Sequence, residues 1–97
     1  MNIKHEDNRD SASTVQINFN IKNYRFFIYQ INYGGVYGNS ICVPIFPSSS
    51  RLTGSVASSY QSVVTASFTL DINNNGGTLT VASPYFGNGA GVRWGFI

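Results

Sequence analysis

The sequence predicts a small all-β domain built from antiparallel strands. Five stretches alternate apolar and polar residues with the period of two that a half-buried strand requires, Gly- or Asn-rich turns separate them, and no segment shows a helical repeat. A chain of 97 residues holds one domain, and a domain this small buries only about 60–65% of its unfolded surface. Association with further copies would therefore help to stabilise it.

Residues 1–13 are polar, charge-rich and without periodicity, which reads as a disordered or linker arm, so that 14–97 form the single folded domain. Val15, Ile17, Phe19 and Ile21 then point one way and Gln16, Asn18 and Asn20 the other. A two-residue turn at Lys22-Asn23 sets Phe19 opposite Phe26 and Ile17 opposite Ile28. A second turn at Gly34-Gly35 sets Ile28 against Ile41, Phe26 against Val43 and Tyr24 against Ile45, completing a three-stranded meander with one apolar face. The middle strand carries Phe27, Tyr29, Ile31 and Tyr33 on its second face, and aromatics in such numbers bury, under a second sheet or at a subunit interface, more readily than they serve as a ligand platform. Pro44 donates no ladder bond, which makes the third strand an edge or a bulge there. Cys42, on that strand, is expected to be a buried thiol.

Pro47 to Ser50 reads as a loop and the weakly patterned Arg51 to Ser59 as an edge strand. Val64, Ala66, Phe68, Leu70 and Ile72 alternate with polar residues up to Asn73-Asn74-Asn75-Gly76-Gly77. A type I′ turn at Asn75-Gly76 places Ile72 opposite Leu79 and Leu70 opposite Val81, keeping every apolar residue on one side. After Ser83 to Gly91, Val92, Trp94 and Phe96 share a face. An end this apolar needs tying into a sheet or a neighbouring subunit.

Charged residues are 10% of the chain and aromatics 14%, against about 25% charged in ordinary soluble domains. Half of the charge sits in the first ten residues (Lys4, Glu6, Asp7, Arg9, Asp10), and Lys22, Arg25, Arg51 and Arg93 are too dispersed to track a phosphate backbone, which argues against nucleic acid as a partner. No apolar run approaches the roughly 18 residues of a membrane span, and charges occupy the place of a signal-peptide core. One cysteine forms no intrachain disulfide, in keeping with a reducing site of synthesis.

Catalytic equipment is sparse. His5, the single histidine, lies in the arm, a poor holder for the base of a Ser–His–Asp site. One Cys and one His build no closed zinc site, and Asp71, the sole acid after residue 10, has no second carboxylate for glycoside hydrolysis. No catalytic residue, metal or cofactor is expected. Gly87-Asn88-Gly89-Ala90-Gly91 lacks the strand-to-helix context of a phosphate loop and reads as turn-making glycine. The combination that fits a ligand is Tyr85, Phe86, Asn88 and Arg93, since sugar sites pair an aromatic face with amide and guanidinium donors.

From Tyr60 to Ile97 the chain resembles the small C-terminal domains of bacteriophage tail fibres and tailspikes. The residues that carry the resemblance are Ala66-Ser67-Phe68-Thr69-Leu70-Asp71-Ile72, the Asn-Asn-Asn-Gly-Gly turn, Thr78-Leu79-Thr80-Val81 and the ending Val92-Arg93-Trp94-Gly95-Phe96-Ile97. It lies in style, with low charge, abundant Asn, Ser, Thr and Gly and an apolar last strand; fibre repeats and a His-x-His iron motif are absent from the sequence. The resemblance implies a β-sandwich, jelly-roll-like head that assembles as a homotrimer and binds a host-surface glycan or another virion protein. It implies a location at the virion tail tip after synthesis in the bacterial cytoplasm. In that reading Tyr85, Phe86, Asn88, Arg93 and Trp94 recognise the receptor, and Phe27, Tyr29, Tyr33 and Phe96 line the subunit interface. The alternatives are a structural assembly, trimerisation or capping subunit of a virion, and a monomeric lectin-like carbohydrate-binding module.

Overall fold

Strands form where the alternation is clearest, and at two places, Lys4–Asn8 and Arg51–Ala57, where it is not. A computed structural model describes residues 4–8, 13–33, 36–57, 65–82 and 91–97. Among them are eight strands: β1 (Lys4–Asn8), β2 (Ser13–Ile17), β3 (Phe26–Tyr33), β4 (Val36–Pro44), β5 (Arg51–Ala57), β6 (Thr65–Asn73), β7 (Gly76–Ala82) and β8 (Gly91–Phe96). They make two four-stranded antiparallel sheets, ordered β1-β8-β3-β4 and β2-β7-β6-β5. The sheets pack face to face as a small β-sandwich. First pairs with last and second with seventh, the nested winding of a jelly roll; the nesting stops there, because β3 pairs with β4 and β5 with β6.

The core is the inner face of both sheets. Phe27, Tyr29 and Ile31 of β3 lie in register with Phe96, Trp94 and Val92 of β8, and all six are buried. Against them the second sheet sets Ala66, Phe68, Leu70 and Ile72 of β6, Leu79 and Val81 of β7, and Leu52 and Val56 of β5. Phe68 bridges the layers, its ring centroid 4.9 Å from Phe27 and 4.8 Å from Tyr29. The weak pattern of β5 has a cause here: Gly54 stands at an inward position opposite Phe68, and a Cβ there would lie 2.8 Å from the Phe68 ring. The apolar alternation is interrupted to make room for an aromatic.

Several expectations are corrected. Residues 14–21 do not pair with β3. The Asn20 side chain accepts from the Lys22 amide at 3.0 Å, a single 3-10 turn follows over Ile21–Asn23, and the chain crosses between sheets instead of making a hairpin. Ile21 is fully buried, and Phe19 and Tyr24 pack on Phe96 at 5.4 and 5.6 Å. Within β3 and β4 the register differs by one residue from the meander: Ile28 faces Cys42 and Tyr29 faces Ile41. That step exchanges the faces, so Phe27 and Tyr29 enter the core while Phe26 is exposed. Cys42 goes with the outer face and is exposed, not buried. The first residues also depart from a disordered arm, since Lys4–Asn8 pairs with β8.

The β6–β7 hairpin keeps its apolar face, but its turn lies one residue earlier. Asn73 pairs with Gly76, Leu70 with Leu79 and Phe68 with Val81, leaving Asn74 and Asn75 as the two turn residues. No non-glycine residue among those described has positive φ, which excludes type I′. Gly76 alone does, at +150°, and a Cβ on it would sit 1.8 Å from the Ile17 carbonyl oxygen. The glycine serves the close approach of β2, and the register slips by two residues, which preserves the face.

Candidate ligand-binding site

Alternation in β8 sends Val92, Trp94 and Phe96 inward and Arg93 and Gly95 outward. Arg93 therefore emerges on the outer face of the first sheet, half-buried. Its Nη2 donates to Gln30 Oε1 at 2.7 Å, from the β3 residue directly opposite. Ser40 of β4 continues this row on the far side of Gln30, and Asp7 of β1 is at the register position on the near side of Arg93. The next row along the strands holds Gly95, Ile28 and Cys42, and the one after it Phe26 and Pro44. A guanidinium carries several N–H donors, the chemistry that hydroxyl-rich or carboxylate-bearing ligands take, and here one of them is given to Gln30.

The sequence-derived site is only partly brought together. Tyr85, Phe86 and Asn88 lie outside the described residues; they belong to the segment that leads directly into β8. Trp94 is corrected: at 2% exposure it is core, edge-on to Phe96 at 5.9 Å and tilted by 39° to Phe27 at 6.4 Å, so no ligand can stack on it. Its indole nitrogen has no hydrogen-bond partner among the described residues.

The interface assignment is corrected in the same way. Phe27, Tyr29 and Phe96 are fully buried between this chain's own two sheets, which leaves no surface on them for a second subunit. The Tyr33 backbone pairs with Val36, while its side chain lies outside the described residues. Among the described residues, the large apolar side chains that do meet solvent are Phe26, 38% exposed, and Phe46, 58% exposed.

No family model, curated protein or solved structure matches the chain.

The outer face of the second sheet has a feature that the sequence did not single out. Thr14, Thr80, Thr69 and Thr53 stand in one row across all four strands. Beside it runs the row Gln16, Thr78, Asp71 and Arg51, where the Thr78 hydroxyl and Gln16 Oε1 are 3.1 Å apart and Arg51 donates to Asp71 at 2.6 Å. Threonine is favoured on a solvated strand for its shape alone, which accounts for the row without a ligand. The Thr-x-Thr of β7 and the Ser-x-Thr of β6 were its visible signal; the register that aligns them was not. Among the described residues no three His, Cys, Asp or Glu gather as a metal site, and no helix is long and apolar enough to cross a membrane.

Proposed function

We propose that this chain is a non-enzymatic recognition module, the tip domain of a bacteriophage tail fibre or tailspike, that binds a host-surface glycan. The observation that supports the reading is the Arg93–Gln30 pair: a half-buried guanidinium held on the outer side of the first sheet, on the strand that directly follows Tyr85, Phe86 and Asn88. Aromatic stacking from that segment and N–H donation from Arg93 would supply the two contacts that sugars need. The sandwich beneath is rigid and aromatic-packed, the kind of scaffold on which recognition loops are carried. The test is binding of the wild type, Arg93→Ala, Gln30→Ala and Tyr85→Ala to an array of bacterial surface glycans, with a thermal melt of each to establish folding. Loss of binding by folded variants supports the site; undiminished binding removes it.

A specific observation favours the second reading, a monomeric lectin-like module. Three of the four aromatics assigned to a trimer interface, Phe27, Tyr29 and Phe96, are buried within one chain, so they need no partner subunit to cover them. Among the described residues, Phe26 and Phe46 are the large apolar side chains that a homotrimer could still cover. Light scattering behind a sizing column separates the two: a stable trimer supports the fibre tip, and a monomer that binds sugar supports the lectin-like module.

A further inference from the structure

We infer that Asn75 is a self-modification site, converting spontaneously to aspartate and isoaspartate by reaction with its own backbone and water. Three features of the β6–β7 turn converge on it. Asn75 is exposed and occupies the second of the two turn residues. It is followed by Gly76, so no β-carbon stands beside the attacking amide nitrogen, although Gly76 itself is buried at the start of β7. Its neighbours differ: the Asn73 side chain is engaged as acceptor from the Asn75 amide at 2.9 Å, and Asn74 is followed by a residue with a side chain. No hydrogen bond among the described residues holds the Asn75 carboxamide itself.

The chemistry balances without any cofactor. The Gly76 backbone nitrogen attacks Asn75 Cγ, a new C–N bond closes a five-membered imide, and Nδ2 leaves as ammonia, carrying the proton displaced from the amide. Water then opens the ring. Addition at the side-chain carbonyl restores the ordinary peptide link and leaves an aspartate. Addition at the main-chain carbonyl leaves an isoaspartate, whose link runs through the side chain and lengthens the backbone by one methylene.

The fold makes the two products unequal. The aspartyl product only adds a charge to a solvated turn. The isoaspartate inserts an atom into the two-residue connection just before Gly76, where the backbone already lies so close to Ile17 that a Cβ would be 1.8 Å from its carbonyl oxygen. The added length has no room on that side, so the isoaspartyl chain loses the fit between the start of β7 and the end of β2.

The test incubates the full chain, folded, at mildly alkaline pH, with peptide mapping by electron-transfer fragmentation and labelling by an isoaspartyl methyltransferase. Asn75→Gln, which cannot close the five-membered ring, is the chemical control, and the urea-unfolded chain is the intrinsic-rate control. The expected result is conversion at Asn75 several-fold faster than at Asn74, absence of the signal at position 75 in Asn75→Gln, and a lower melting temperature for the isoaspartyl fraction than for the aspartyl fraction. Conversion at Asn75 in the unfolded chain but not in the folded one would overturn the inference, because the hairpin would then protect the residue. Conversion no faster at Asn75 than at Asn74 would overturn it as well.

Discussion

The Tyr29 hydroxyl donates to the main-chain oxygen of Ser67 at 3.2 Å, a hydrogen bond that crosses from one sheet of the sandwich to the other. It gives a buried phenol its partner, and burial pushes the Tyr29 pKa well above its ordinary value. Tyr29→Phe removes the bond and is expected to cost about 1 kcal/mol at neutral pH, read from a denaturant melt.

The same residue makes stability depend on alkaline pH. The folded phenol keeps its proton where the unfolded one has lost it, so its contribution is full below the unfolded value of about 10. That contribution declines as pH rises from there towards the raised folded value. Wild type is expected to lose stability above that pH faster than Tyr29→Phe. Parallel pH profiles for the two proteins would contradict the assignment.

Phe27 lies at the centre of the aromatic cluster, with ring centroids of Phe68 at 4.9 Å, Phe96 at 5.1 Å, Tyr29 at 6.1 Å and Trp94 at 6.4 Å. Truncation to alanine leaves a cavity bounded by large, mutually braced rings. Phe27→Ala is expected to lose about 4 kcal/mol, whereas Phe26→Ala, one residue away on the outer face, should change stability by less than about 1 kcal/mol. Chemical denaturation of both variants checks the face assignment.

Gly76→Ala combines a backbone angle that L residues rarely adopt with a steric overlap against Ile17. A loss of about 3 kcal/mol is expected, or failure to fold. Asn74→Ala, in the same turn but without either constraint, should be nearly neutral by thermal melt.

Cys42 should react with a water-soluble maleimide in the native protein at a rate close to that in denaturant, since its side chain is exposed on β4. Labelling confined to the denatured chain would place the thiol inside and the β3–β4 register one residue away.

What the sequence made legible was local. Phe68, Leu70, Ile72, Leu79 and Val81 alternate without ambiguity, so their hairpin and its inner face were readable even though the turn centre moved. Pro44 marked an edge strand, and β4 is one. The alternation of Val92, Trp94 and Phe96 calls for a sheet or a neighbouring subunit to hold the last strand, and a sheet of the same chain does so. The faces of β3 were illegible for a definite reason. Tyr24, Phe26 and Ile28 are as apolar as Phe27, Tyr29 and Ile31, so period two gives no preference, and the choice is made by β8, which comes late in the chain. The Asn20–Tyr24 crossover was read as a hairpin because two adjacent strands invite pairing; a single Asn side chain and the burial of Ile21 decide otherwise. Of the candidate site, Arg93 was found from its chain neighbourhood, but Gln30, its actual partner, is visible only through the sheet.

The nested order of the strands has a temporal meaning. β8 lies in the middle of its sheet, between β1 and β3, yet it is the last of the eight described strands to leave the ribosome. Until it does, Phe27 and Tyr29 lack Phe96 and Trp94 as neighbours, and β1 has nothing to pair with. The half-made chain must therefore hold its aromatics open until β8 has been made, a state prone to aggregation, and folding has to wait for contacts distant in sequence, which are slow to form. Production of this protein should be limited by the fate of the nascent chain more than by the stability of the finished sandwich.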